Sequence, residues 1–359
     1  MKKEKTLSFE IMRCIACFGV VGLHMLQGLA YMYGKVPKNI WNVASVVTNV
    51  CRYSVPLFLM ISGALLVKKE DINIRWVVKK ATYFFIILLI WSIIYAVADV
   101  YINNTAYSIK DFFVNFVGDS IIYHLWYLYM LIGIYIMLPL IIQIARSKHI
   151  EIYLVCFAVV TIINIIPLIL KTYFDVDIQI YIMIPLMEWQ LGCLILGYVI
   201  DSITINLKGF IISIVIFVCS GWFMVYSTYK LSLGANEYRR DFSSNENIFA
   251  IAMAVCIFVM IKYVSKYVEK SFIKTVIECI SKRTFFIYLV HPLVIMLYRG
   301  NVEVKVTKLF GIYNKLAIRE IFSWCVVFFV SYIAAEIIKY VWMYLYRFVS
   351  IRKVNNGES

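Results

Sequence analysis

The chain has 359 residues, 63% of them hydrophobic and only 16% charged, with mean hydropathy +0.83 and a formal net charge of +14. This excludes a soluble globular domain, which is about half apolar. The basic excess does not point to nucleic acid, because Lys and Arg also collect in loops beside the anionic cytoplasmic leaflet, and no nucleic-acid-binding module is visible.

The recurring apolar runs predict an all-α, polytopic membrane protein made of a single domain, 1–359, with its core at about 8–346. In chain order, about ten transmembrane helices are predicted, over 8–31, 43–67, 80–101, 121–145, 150–171, 181–200, 208–229, 246–265, 277–298 and 320–346. MKKEK and the run behind it resemble a signal peptide. That run is too long, carries Arg13 and His24 and lacks a small-x-small cleavage site, so it reads as a retained first span.

Lys2, Lys3 and Lys5 precede the first span. Lys68, Lys69, Arg75, Lys79 and Lys80 lie between the second and third, and Arg146 and Lys148 follow the fourth. Lys262, Lys266, Lys270 and Lys274 lie between the eighth and ninth, and Arg347, Arg352 and Lys353 close the chain. Ten spans put all of these on one side, the cytoplasm by the positive-inside rule, and both termini with them. The loop 299–319 opposes this scheme, because Arg299, Lys305, Lys308, Lys315 and Arg319 would lie outside. Lys262, Lys266, Lys270 and Lys274 recur every four residues, one helical face suited to lipid headgroups. Nine cysteines are scattered mostly through apolar runs, where Cys acts as a small hydrophobe. Cys14 and Cys17 form a CxxC with no second pair or His cluster to complete it, so no metal site is expected.

Charged residues inside a span cost roughly 2.5–3.5 kcal/mol at its centre and usually face a bundle interior. Arg13 and His24 lie within about 20° of one helix face and about 16 Å apart along the axis. Glu10 is placed to pair with Arg13; snorkelling to the headgroups is the other reading of Arg13, but it does not serve the deeper His24. Topology places His24, Arg52, His124, Glu188 and His291 in one outer-half layer, with Arg13, Arg75, Lys79 and Lys80 on the inner side. The chain has four histidines, and only His149 falls in a loop away from that layer. Histidine suits a general base because it titrates near neutrality.

Five segments, in order, carry a resemblance: FEIMRCIACFGVVGLHM (9–25), RYSVPLFLMISGALL (52–66), KKATYFFIILLIWSIIY (79–95), HLWYLYMLIGIYIMLPL (124–140) and FIYLVHPLVI (286–295). Together they resemble acyltransferase family 3, in particular single-domain O-acetyltransferases of bacterial polysaccharides. The resemblance implies transfer of an acyl group, usually acetyl, from cytoplasmic acyl-CoA to a hydroxyl of a cell-surface polysaccharide or its lipid-linked precursor, in the bacterial cytoplasmic membrane. It makes His24 the catalytic histidine and Arg13 its motif partner. No permanently bound cofactor is implied; acyl-CoA and a carbohydrate or glycolipid acceptor are substrates.

The family's RxxR before the third span, followed by proline, is here Arg75 with Lys79 and Lys80 and no proline. Leu57-Phe58 replaces a common Phe pair, and no SGNH-like domain is seen after VNNGES. Arg75, Lys79 and Lys80 are candidate holders of the donor phosphates, though lysine lacks arginine's fork. Arg52 or His124 is a candidate stabiliser of the oxyanion, and an acyl-enzyme on Ser62 or His24 stays open. Ser62-Gly63 also suits close helix packing. Trp126 suits either an interfacial aromatic belt or sugar stacking. Glu188 suits a proton relay, an acceptor contact or a pair for Arg52, and His291 remains an acceptor-site candidate. The alternative function is a transporter or flippase of glycan precursors, against which no matched interrupted helices are found.

Overall fold

The computed structural model describes residues 2–70, 72–105, 108–118, 121–178, 187–267 and 272–355, with side chains from 7 to 340. Among the described residues there are helices and no strand: α1 (Lys2–Ala30), α2 (Lys38–Val50), α3 (Ser54–Leu66), α4 (Ile74–Asn103), α5 (Ile109–Gly118), α6 (Trp126–Ala145), α7 (Ile150–Phe174), α8 (Trp189–Ser202), α9 (Leu207–Ala235), α10 (Ile248–Val264), α11 (Phe272–Ser281), α12 (Thr284–Tyr298), α13 (Asn301–Leu309) and α14 (Leu316–Asn355). Local chemistry sets many boundaries. Asn73, Asn206 and Asn247 cap α4, α9 and α10 by accepting from backbone N–H groups of Trp76, Gly209 and Phe249. Asn104, Asp175 and Asn236 end α4, α7 and α9 in the left-handed conformation that short polar side chains tolerate.

Eight segments are long and apolar enough to cross a bilayer: Leu7–Ala30, Lys38–Leu66, Ile74–Asn103, Trp126–Ala145, Ile150–Phe174, Leu207–Ala235, Ile248–Tyr267 and Leu316–Tyr340. The chain is therefore a multi-pass membrane protein, but two of the ten predicted spans differ. In place of the sixth, α8 has 14 residues. At about 1.5 Å per residue that is shorter than a hydrocarbon core of about 30 Å, and residues 181–186 lie outside the described residues. In place of the ninth, α11 and α12 meet at 70°. Ion pairing of Arg283 with Glu336 at 2.8 Å holds that corner. The CxxC holds it too: Cys14 and Cys17 donate to the carbonyls of Ile277 and Thr284.

The basic loop that opposed the topology is partly neutralised. Arg299 pairs with Glu303 and Glu320, each at 2.9 Å, and Arg319 pairs with Glu320 at 2.8 Å. The loops after α3, α6, α8 and α10 meet at one end of the bundle. There Lys68 pairs with Asp201, Arg146 donates to the carbonyls of Val67 and Lys69, and Lys262 donates to those of Ile200 and Asp201. Lys262 thus caps the C-terminus of α8, where a cation is favoured. The expected lysine face is not continuous: α10 ends before α11 carries Lys274, which lies 3.7 Å from Glu278, and Lys270 is outside the described residues.

Two cores surround α1. One joins Phe9, Met12 and Ala16 of α1 to α3, α8 and α10. The other joins Cys17, Val21, Met25 and Leu26 to α4, α12 and α14. Phe58 and Tyr127 pack against both, and the candidate site lies at this seam.

Candidate active site

His24 lies on the inward face of α1, and cavities open on both sides of it. The first, of about 210 Å³, is walled by Phe58, Phe84, Tyr127, Leu131, Tyr135 and Phe285, with Arg13 and Ser62 at its polar points. The second, of about 560 Å³, is lined by Gln27, Tyr31, Arg52, Tyr123, Arg240 and Asn245. His24, Trp126, Val20 and Val55 belong to both and form the partition between them. The Nδ1 of His24 is sealed and has no hydrogen-bond partner, which leaves Nε2 as the ring nitrogen that opens on the cavities.

Three of the four histidines meet here. The His291 ring stacks on His24 with centroids 5.3 Å apart and lies 5.5 Å from His124. Tyr123 lies 4.8 Å from His24, while Tyr95 and Tyr288 flank His124 at 5.0 and 5.5 Å. Pro292 explains how His291 is held. It has no N–H, so the Tyr288 carbonyl one turn back loses its helical donor. His291 Nδ1 fills the gap, donating to Tyr288 at 2.8 Å and to Ile287 at 3.2 Å. Carbonyls only accept, so Nδ1 carries the proton, and the buried Nε2, which has no partner, presents a lone pair.

A family profile described as an acyltransferase domain matches residues 6–344, nearly the whole chain. The chain belongs to acyltransferase family 3. No curated protein and no solved structure matches it. It is an acyltransferase with multiple apolar helices.

The structure of this acyltransferase brings together Arg13, His24, Ser62, His124 and Trp126 around one cavity, with His291 behind two of the histidines and Arg52 across the second cavity. Among the described residues no carboxylate lies within ion-pair distance of Arg13; Glu10 attracts it from farther off and also feels Lys274 and Lys282, on and beside α11, and the like charge of Glu278. Arg75 and Lys79 are exposed and line no part of the histidine cavity. Lys80 is one helical turn before Phe84 of the cavity wall, with its ammonium 6.0 Å from the Trp76 ring.

Glu188 does not pair with Arg52. It is an exposed residue preceding α8 and faces a separate cavity with Asp241 and Glu246. The hydroxyl of Ser62 donates to the Phe58 carbonyl at 2.9 Å. Gly63 meets the packing need: a Cβ there would lie 1.8 Å from the Leu194 carbonyl oxygen, and one at Gly197 would lie 2.0 Å from that of Met60. Among the described residues no group of three or more His, Cys, Asp or Glu is placed to hold a metal.

Sequence reasoning did not single out Tyr31, Arg240 or Asn245. Tyr31 follows the first span, and Arg240 and Asn245 lie in the polar run NEYRRDFSSNEN (236–247) between two apolar spans. Within it Arg239 forms hydrogen bonds of 3.1 Å to each carboxylate oxygen of Asp241, which holds that carboxyl below its usual range.

Proposed function

We propose that the protein is an O-acyltransferase that moves an acyl group, acetyl by family habit, from acyl-CoA to a hydroxyl of a cell-surface polysaccharide or its lipid-linked precursor in the bacterial cytoplasmic membrane. What carries the reading is that His24 is shared by two cavities, one walled mainly by aromatic and aliphatic side chains and one richer in polar groups. The aromatic and aliphatic one suits an acyl-pantetheine arm, and the polar one suits a carbohydrate. The end bearing Lys68, Arg146 and Lys262 faces the cytoplasm under the positive-inside rule, so Arg75, Lys79 and Lys80 meet the donor phosphates outside the inner mouth.

In this reading His24 Nε2 removes the acceptor hydroxyl's proton as its oxygen attacks the thioester carbonyl. The tetrahedral adduct collapses with release of the CoA thiolate, and the imidazolium returns the proton to it. Ser62 is committed to the Phe58 carbonyl and has no hydrogen-bonded histidine, which favours direct transfer over an acyl-serine. His124, which lines the same cavity and whose ring nitrogens are buried with no hydrogen-bond partner, is the candidate oxyanion donor.

The test is label transfer from acetyl-CoA to extracted cell-surface glycans by protein in nanodiscs. His24→Ala should cut the rate by roughly 10²–10⁴-fold, the usual worth of a general base, while the protein keeps its melting temperature. A mutant as fast as wild type would remove His24 as the base. Absence of CoA release by wild type with every glycan fraction would overturn the enzyme reading in favour of glycan transport.

A further inference from the structure

The second cavity has a charge imbalance that acyl transfer to a hydroxyl does not require. Arg52 and Arg240 both line it beside His24, and no carboxylate does. Arg52 is buried, at 9% exposure. Only its Nε is engaged, donating to Ser243 Oγ at 3.3 Å, and its two Nη groups open on the cavity. Among the described residues no Asp or Glu lies within ion-pair distance of it. Arg240 is close enough for like charge to oppose it.

The nearby carboxylates Glu237, Asp241 and exposed Glu246 share with Arg52 and Arg240 an adjoining cavity of about 810 Å³, but Asp241 and Glu237 pair with Arg239, at 3.1 and 3.8 Å, and among the described residues none of the three lies within ion-pair distance of Arg52 or Arg240. A buried arginine without a counter-charge costs several kcal/mol, so such a group persists where a ligand supplies the charge. Tyr31 reports the same field from just beyond α1. Burial alone would push its phenol up, yet hydrogen bonds with Gln27 and Arg240 bring it below its ordinary value.

We infer that Arg52 and Arg240 form a subsite for an anionic group on the acceptor, a carboxylate or a phosphate, which anchors the acceptor so that a hydroxyl faces His24. Guanidinium groups suit both oxyanions, because their fork matches two oxygens at once. The cavity, at about 560 Å³, lies in the size range of small-ligand sites. Trp126 and Tyr123 offer ring faces for the sugar, and the Oδ1 of Asn245, buried without a partner, offers an acceptor for one of its hydroxyls. The inference rests on the acyltransferase reading of His24, but its test does not use turnover.

The test is calorimetric binding to the full-length protein in nanodiscs of zwitterionic lipid. The probes are a uronic-acid disaccharide, its carboxyl-reduced neutral counterpart, and inorganic phosphate. The acidic disaccharide or phosphate should bind roughly tenfold or more tighter than the neutral sugar, the scale of one charge-assisted hydrogen bond, and added salt should shrink the gap. Preference for the uronate identifies an acidic sugar as the source of charge, and preference for phosphate identifies a phosphate-linked acceptor.

Arg52→Gln and Arg240→Gln should each remove most of the gap, and Arg240→Lys should restore part of it. His24→Ala should leave it in place, which separates this proposal from the identity of the base. Equal wild-type affinity for acidic and neutral sugars would overturn the subsite. So would an unchanged gap in both glutamine variants at wild-type melting temperature. Displacement of the bound anion by coenzyme A, undiminished in Lys80→Gln, would assign the charge to the donor and overturn it as well.

Discussion

A proline in the middle of α12 removes the N–H that the Tyr288 carbonyl would otherwise receive, and His291 replaces it at 2.8 Å. That bond, with the longer one to Ile287 at 3.2 Å, fixes the ring's tautomer and turns the His291 lone pair toward the other two histidines. Pro292→Ala gives the carbonyl a backbone donor again, so the ring loses the shorter of the two bonds that keep it protonated at Nδ1. The ¹⁵N spectrum of histidine-labelled protein should then show one histidine shift from a single Nδ1–H form to a mixture of tautomers, while α12 stays helical. An unchanged spectrum would mean that the ring is fixed by the Ile287 carbonyl and by its packing on His24 and His124.

At this scale much of the site was legible, because Arg13, His24, His124 and His291 are costly in apolar segments and therefore stand out. Glu188 stood out for the same reason and misled: α8 begins after it, so it is an exposed residue at a helix start. Arg240 was illegible because a charge in a polar loop carries no cost, and only the fold brings that loop over His24.

Between elements, the closest approach is that of α3 and α8, where Gly63 and Gly197 each face a carbonyl of the other helix. Membrane helices gain little from mutual burial of apolar surface, so they rely on such small-residue contacts. A methyl group at Gly63 has only backbone in front of it, and either the helices separate or α8 shifts. Gly63→Ala should lower stability by about 1–3 kcal/mol, the range for overpacking, read as a fall in melting temperature on detergent size exclusion. Gly133→Ala in α6 is the control, since no neighbouring atom lies within 4 Å of its added Cβ. Equal melting temperatures for the two variants would show that the α3–α8 contact is loose.

A search for long apolar runs finds the lipid-facing helices well, because α4, α7 and α9 each carry one long enough to span a bilayer and mostly unburied within the bundle. It does not find the α11–α12 corner. That corner depends on Cys14 and Cys17 reaching carbonyls more than 260 residues away and on Arg283 meeting Glu336.

For the whole molecule, the consequence is a division of labour along α1. Residues from Phe9 to Ala16 belong to one core and those from Cys17 to Ala30 to the other, and His24 stands where cavities from both directions meet. If donor and acceptor enter by opposite cavities, each can be blocked without the other. Ser62→Trp fills the aromatic cavity next to Phe58, while Gly28→Trp projects into the polar cavity, where nothing lies within 4 Å of an added Cβ.

Ser62→Trp should weaken acetyl-CoA binding by roughly tenfold or more and leave binding of the glycan acceptor near wild type. Gly28→Trp should do the reverse, and both should abolish label transfer. Loss of both ligands in each variant would mean that one pocket serves donor and acceptor in turn, which is the geometry of a ping-pong enzyme. His24 would then have to act twice from the same side, once to load an acyl-enzyme and once to discharge it.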